Sequence, residues 1–527
     1  MLPNANPKMI SSREEVLPLN RRRFLKNAAM ATVPILLPDL GCVAQGEPGK
    51  SKQTITVQTQ ATIGPLPHVW EECVGSDRAV VGLREQWLSD LELVKKATGM
   101  KSVRFHGLFN DEMGVLPSGA KLPNFLYVDA VFDAMLERGI KPFVELSFMP
   151  GALASGRNSM LWYRGNTTPP EDIAKWGELI HALARHCVDR YGIQEVGNWR
   201  FEVWNEPNIV FWSGTQAQYF ELYRQSARAL KEVDTRLKVG GPSTAQAAWV
   251  SAFLDYCSLQ QVPIDFVSTH VYSDDSQRRV FGEDRHYPME EVIPRALTMV
   301  REQIKSSKFP ELPLLLTEWS SQNPAFIAAT IRSCIGLTEM MSYWTFDSVY
   351  EELGVPKTFF NKSFGLIGMR GIPRPSFHTF SLLHRLGNTQ LASDDGPVLA
   401  TRREDGSVVV LLWNLIPQDP KVHSSMGDPM VQSESTFIAQ GEPREFTLRL
   451  QGAHKHGRVK ISRVDKEHGD LSHAYQKIGS PEYPTEQQIA EMKRASALPE
   501  PEIVILDGNR EVTLSIPPNG VALLELM

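Results

Sequence analysis

From about residue 60 to 390 the chain alternates short β-branched apolar runs with longer stretches whose apolar positions recur every three to four residues. Short buried strands followed by amphipathic helices are the signature of a parallel α/β architecture. The clearest strands are Ser102–Leu108, Pro142–Phe148, Phe201–Glu206, Leu237–Gly241, Ile264–Tyr272, Leu314–Trp319 and Met340–Thr345, and the first in order is placed around Val69–Gly75. The spacing between them predicts helices over Leu83–Thr98, Glu171–Tyr191, Gln216–Val233 and Met289–Ser306, with a last one over Ser376–Leu386. Eight strand-helix units over residues 60–390 predict a (β/α)8 TIM barrel. The rival, a doubly wound sheet, would carry a glycine-rich phosphate turn after its first strand, and Gly75-Ser76-Asp77 is not one.

After about residue 390 the helical period mostly stops. Ser407–Leu415, Arg444–Leu450, Arg458–Val464, Glu511–Ile516 and Val521–Leu526 read as short strands, with Glu404-Asp405-Gly406-Ser407 as a hairpin turn. Residues 391–527 are therefore expected to form an accessory β-sandwich, to which a strand from residues 53–59, around Thr54-Ile55-Thr56-Val57, is added. The polar segment Pro481–Glu502 carries a short helical pattern and is expected to pack across the sandwich or the barrel.

The first 44 residues belong to neither domain. Asn20-Arg21-Arg22-Arg23-Phe24-Leu25-Lys26 matches a twin-arginine export signature, and Ala28–Leu37 supplies the apolar stretch behind it. Pro34, Pro38 and Asp39 interrupt that stretch well before the about 20 residues a membrane span requires. The expectation is a cleaved leader handed to the twin-arginine export machinery, with a periplasmic or extracellular destination. A lipid anchor on Cys42 fits less well, because Asp39 stands where an aliphatic residue would be expected.

Composition narrows the classes that remain. With 42% hydrophobic and 22% charged residues over 527 positions, the chain can bury several cores. Its net charge of −6 offers no basic field for nucleic acid. Cys73, Cys187, Cys257 and Cys334 are widely separated, without a C-x-x-C pair, which argues for buried free thiols over a zinc knuckle or a disulfide scaffold. No metal-ligand cluster or cofactor motif is evident, so no cofactor is expected.

Active sites of such barrels lie at the C-terminal ends of the strands. Two strand ends carry carboxylates. The fourth strand runs Phe201-Glu202-Val203-Trp204 into Asn205-Glu206-Pro207-Asn208, and the seventh runs Leu314-Leu315-Leu316-Thr317 into Glu318-Trp319. Two glutamates at the same rim are what a retaining glycosidase needs, one as proton donor and one as nucleophile. Trp204, Trp319 and Trp344 are expected to give apolar faces for the C–H surface of a sugar. Strand alternation puts His270 with Tyr272, and Arg104 with His106, on common faces toward the pocket, with Arg104 keeping the nucleophile ionised. Glu145 and Glu202 lie further back and are read as buried, hydrogen-bonded residues.

The ordered set His68-Val69-Trp70-Glu71-Glu72-Cys73-Val74-Gly75-Ser76, Val103-Arg104-Phe105-His106-Gly107, Glu202-Val203-Trp204-Asn205-Glu206-Pro207-Asn208, Ser268-Thr269-His270-Val271-Tyr272, Thr317-Glu318-Trp319, Tyr343-Trp344-Thr345-Phe346, Glu351-Glu352 and Ser363-Phe364-Gly365-Leu366 resembles glycoside hydrolase family 39, the retaining β-xylosidase and α-L-iduronidase family. The resemblance implies Glu206 as acid/base, Glu318 as nucleophile and Asn205 on the sugar 2-hydroxyl. It also implies His270 and Tyr272 in the subsite, Trp344 as its floor, and His68, Glu351 and Glu352 on sugar hydroxyls. Asn208 and the His-Val-Tyr run are similar to the xylosidase branch. Two departures stand out: Phe360-Asn361-Lys362-Ser363 where xylosidases tend to have Phe-His-Gly-Gly, and Asp347-Ser348 in inverted order. The expected partner is a carbohydrate, cut by exo-action on a β-linked sugar. The alternatives are an endo-acting enzyme on an exopolysaccharide and a non-catalytic carbohydrate-binding protein.

Overall fold

The computed structural model describes residues 52–355, 364–417, 441–454, 456–470 and 472–527; the leader and Phe360-Asn361-Lys362-Ser363 lie outside the described residues. Eight parallel strands close into a barrel: Val74–Arg78, Ser102–His106, Lys141–Leu146, Arg200–Val203, Lys238–Ala245, Phe266–His270, Leu314–Trp319 and Met340–Tyr343. The sequence reading places the first strand too early. Val69 and Trp70 are buried, but they sit in turns closed by Val69 N–H to Pro67 O at 2.9 Å and Glu71 N–H to His68 O at 2.9 Å. Pairing with the second strand begins only at Val74, opposite Val103.

The helices start and stop where local chemistry dictates. Asp172 caps Ile173–Tyr191 by accepting from the Ala174 N–H, and Thr215 and Gln218 form a reciprocal capping box at Gln216–Val233. Asn323 caps Pro324–Cys334, whose first position takes proline because the N–H there needs no partner. In Ile173–Tyr191 the buried stripe is Trp176, Leu179, Ile180, Leu183, Ala184 and Cys187, the three-to-four spacing that turns one face toward the strands.

Inside the barrel two layers differ in kind. Cys73, Phe143, Phe266, Leu315 and Met340, all at or near strand starts, form an apolar plug at the N-terminal end. Above it the inward positions are charged or polar, with Arg104, Glu145, Glu202 and Glu318 all fully buried. Gly240 is required between the layers, since a Cβ there would lie 2.4 Å from the Phe266 carbonyl oxygen.

The accessory domain is one nine-stranded sheet folded over its own core. Its order is Glu502–Ile505, Arg458–Val464, Val521–Leu526, Val408–Trp413, Val398–Arg402, Thr389–Ser393, Lys52–Pro65, Arg444–Gln451 and Glu511–Ile516. Lys52–Pro65 joins the halves: Lys52 to Gln58 pair parallel with Arg444–Gln451, while Val57 and Thr62 to Pro65 pair antiparallel with Thr389–Ser393 across breaks in register. Ile55, Val410, Leu448, Ile461 and Leu514 meet in the shared core. The opposite face, through Val409, Leu411 and Leu523, continues the barrel core. Within the polar segment, Glu486–Ser496 forms a helix behind a Thr485–Gln488 capping box and buries Ile489 and Met492 against Ile372. Cys73, Cys187, Cys257 and Cys334 are buried and free, as the sequence leads one to expect.

Candidate active site

The fourth strand ends at Val203, and the chain then turns through positive φ at Trp204 (71°) and Glu206 (44°). Non-glycine residues hold such angles only where surrounding contacts fix them. Here the Glu206 N–H donates to Ser243 O at 2.8 Å and the Trp204 indole N–H donates to Phe211 O at 2.8 Å. Asn208 grips Ala245 twice, donating to its carbonyl at 2.9 Å and accepting from its N–H at 2.8 Å. The bend aims the Glu206 carboxyl across the barrel mouth toward Glu318 on the seventh strand. One ligand atom each from Glu206, His270 and Glu318 lies within 4.8 Å of the others.

Arg104 organises the interior. Its guanidinium donates to Glu202 at 2.6 Å, to Glu318 Oε1 at 3.0 Å and to Asn205 Oδ1 at 3.0 Å, and forms an ion pair with Glu145 at 2.8 Å. Burial opposes its charge, and the carboxylates of Glu202, Glu145 and Glu318 outweigh that, so its pKa is raised further. The other oxygen of Glu318 accepts from the Tyr272 hydroxyl at 2.9 Å and lies 3.5 Å from His270 Nδ1, which is 3.1 Å from Glu206. Asn205, held through its oxygen, keeps a buried amide Nδ2 without a hydrogen-bond partner. Glu202 also accepts from the Thr317 hydroxyl at 2.9 Å.

His106 bridges two carboxylates, Glu145 at 2.8 Å and Glu352 at 3.2 Å, and lies 3.8 Å from Glu318. Burial works against its charge, but Glu145 and Glu352 push the imidazole up to about 10. Trp344 packs beside it with ring centroids 4.6 Å apart, and Gly75 leaves the room: a Cβ there would meet the indole at 2.4 Å.

Arg104, His106, Asn205, Glu206, His270, Tyr272, Glu318, Trp344 and Glu352 therefore come together, while two expected members do not. His68 sits at the opposite end of the barrel, beside residues bonded to strand starts, through Val69 O to Met341 N and Glu71 O to Lys101 N. There it meets Glu71 at 2.6 Å, and His384 meets the same carboxylate at 3.0 Å. Burial raises the Glu71 carboxyl, and the His384 and His68 imidazoles more than reverse this, holding it below its usual value. Glu351 lies on the correct rim, but Arg84 at 2.6 Å and Arg78 at 3.1 Å take its carboxylate. Nor do all three tryptophans face a sugar. Trp204 packs on Trp212, Phe148 and Trp176, and Trp319, beside Glu318, takes the other side of its strand against Tyr343 and Phe380.

The structure adds Asp275, which accepts from the Tyr272 N–H at 2.8 Å and the Gln246 amide at 3.2 Å, with its carboxyl pushed up to about 7 by burial. The signal was the Ser-Asp-Asp-Ser run just past the sixth strand, a turn-forming sequence. The inverted pair is divided between two tasks: Ser348 donates its N–H and hydroxyl to Asp90 at 2.9 and 2.5 Å, while Asp347 is fully buried.

The His106 contacts make a pH signature. A histidine whose folded pKa lies near 10, against about 6.5 unfolded, adds stability that is complete below 6.5 and is lost as pH rises through 10. Urea denaturation of the natural protein and His106→Gln is expected to show its largest gap near pH 6, narrowing steadily toward pH 10. A gap constant across that range contradicts the bridge.

Comparison with known proteins identifies the family. The family model "Glycosyl hydrolases family 39" matches residues 53–505. A β-xylosidase of Geobacillus stearothermophilus is 34% identical over 489 residues, covering 87% of this chain and 92% of that protein. A β-xylosidase of Caldicellulosiruptor saccharolyticus is 35% identical over 498 residues, covering 89% and 97%. The crystal structure of a monomeric β-xylosidase from Caulobacter crescentus superimposes with a TM-score of 0.81 at 31% identity, covering 90% of this chain and 99% of that one. With its closed barrel and a family match across most of its length, the chain belongs to glycosyl hydrolase family 39 and is a glycoside hydrolase.

Proposed function

We propose that the enzyme is a retaining exo-glycosidase of the β-xylosidase type, with Glu318 as nucleophile and Glu206 as acid/base. The observation that carries this reading is the approach of the two carboxyls, whose oxygens come within 4.8 Å together with His270. Retaining glycosidases hold their pair about 5–5.5 Å apart, whereas inverting ones leave about 6.5–9.5 Å for a water. The β-xylosidases among its relatives support the sugar class.

In the first step Glu318 attacks the anomeric carbon while Glu206 gives its proton to the leaving oxygen, so the glycosidic bond breaks as a glycosyl ester forms. In the second, Glu206 takes a proton from water, which attacks the same carbon and releases Glu318. Arg104 and Tyr272 fix one Glu318 oxygen each, which sets the line of attack. The Asn205 amide, its oxygen pinned by Arg104 and its Nδ2 unpartnered, is placed to donate to the 2-hydroxyl, a bond that strengthens as the ring becomes oxocarbenium-like. Trp344 forms the floor, and His106 with Glu352 meets the remaining hydroxyls.

The leader motif Arg21-Arg22-Arg23-Phe24-Leu25-Lys26 supports export through the twin-arginine route. Arg21→Lys with Arg22→Lys is expected to hold the enzyme inside the cell; unchanged export would reject this route.

On an aryl β-xyloside, proton NMR is expected to show the β-anomer as first product. Glu206→Gln should lower kcat by about 10²–10⁴-fold, with azide restoring turnover as a glycosyl azide, and Glu318→Gln should lose turnover without azide rescue. An α-anomer as first product, or near-normal rates in either variant, would reject the assignment.

A further inference from the structure

Of the eleven tryptophans, all among the described residues, Trp162 alone is exposed, at 53%. It sits at the tip of a small hairpin that follows the third barrel strand, where Ser159 and Met160 pair with Asn166 and Gly165. The tip turns through positive φ at Leu161 (64°) and Arg164 (57°), so its shape is held from outside. Three contacts hold it. The Trp162 N–H donates to Glu352 O at 2.9 Å, the Tyr163 ring lies under the Arg78 guanidinium at 4.6 Å, and Gly165 is seated against the Phe148 ring. These anchors fix where the indole stands: it rests one edge against Gly354, where a Cβ would come within 3.3 Å of the ring, and leaves about half of its surface, 53%, in water. Leu353 and Val355, in the segment the indole touches, are exposed as well, so Trp162 belongs to an exposed apolar surface at the rim, the kind of surface that marks a binding site.

The hairpin also fixes which side of the cleavage point the indole serves. Glu318 Oε2 faces Tyr272 and His270, and beyond them Glu206, past which a leaving group departs. Glu318 Oε1 faces Arg104 and, at 3.8 Å, His106; from there the contacts run through Glu352 to Trp162. Trp162 thus lies on the glycone side, where the 3- and 4-hydroxyls of the bound sugar point. We propose that its indole is a stacking platform for a second sugar ring carried on one of those hydroxyls, so that the enzyme accepts a disaccharide glycone and releases it intact. This deepens the retaining-glycosidase reading and rests on it.

The test compares 4-nitrophenyl β-xyloside with 4-nitrophenyl β-xylobioside for the natural enzyme, Trp162→Ala and Trp162→Phe, each checked for an unchanged melting temperature. The natural enzyme is expected to release xylobiose directly. Trp162→Ala should lose roughly three- to tenfold in kcat/KM on the bioside while staying within about twofold on the monoside, and Trp162→Phe should keep most of the difference. Equal losses on both substrates would show that the residue serves only the Glu352 loop and would overturn the proposal. So would no loss on either, or cleavage of the bioside only after its terminal xylose has been removed. If the natural enzyme cuts neither glycoside, the reading of the reaction fails separately, and calorimetric titration with xylobiose and xylose decides the platform. Tighter binding of xylobiose that Trp162→Ala abolishes supports it, and equal binding of the two sugars overturns it.

Discussion

A guanidinium buried at the centre of the barrel is the constraint on which the site depends. Arg104 has no contact with water, and its charge is tolerable only because Glu145, Glu202 and Glu318 surround it at hydrogen-bonding distance. A planar fork with five donors can meet several acceptors only in a fixed orientation, so satisfying Arg104 also fixes Glu318 and Asn205. The layer beneath is a dry plug of Cys73, Phe143, Phe266, Leu315 and Met340, which closes the barrel floor. Charge balance in the interior and orientation of Glu318 and Asn205 are thus one problem with one solution. Removing a single partner would leave a buried charge uncompensated and the Glu318 carboxyl less firmly held.

The barrel was legible because its strands are short apolar runs and its helices carry clean stripes, as in Ile173–Tyr191. Glu206 and Glu318 were legible because each follows such a run at the rim where barrels keep their chemistry. What failed did so for physical reasons. His68 lies next to residues that read as a first strand, yet the chain there is a pair of turns below the barrel, so its imidazole meets Glu71. Glu351 and Glu352 are adjacent, and sequence does not tell which of them two arginines will claim; Arg78 and Arg84 claim Glu351, leaving Glu352 to His106. Trp204 and Trp319 were assigned by proximity to the glutamates, whereas neighbouring residues at a strand end turn to opposite sides.

The accessory sheet was legible in its strands, the one near residues 53–59 included, but not in which partners that strand takes. The strand Lys52–Pro65 pairs parallel on one side and antiparallel on the other, a partnership between the start of the described chain and segments more than three hundred residues on. Long-range pairings of this sort leave no local pattern. The same holds for the Trp162 hairpin, whose position depends on Glu352, Arg78 and Phe148 from three other segments.

The central claim is that Glu318, held by Arg104 and Tyr272, forms a bond to the sugar. Incubation with an activated 2-deoxy-2-fluoro-β-xyloside slows breakdown of such an ester and lets it accumulate, after which proteolysis and mass spectrometry locate the label. The account predicts one fluoroxylosyl group on the peptide that contains Glu318. A label on Glu206, or inactivation without any covalent adduct, would contradict it.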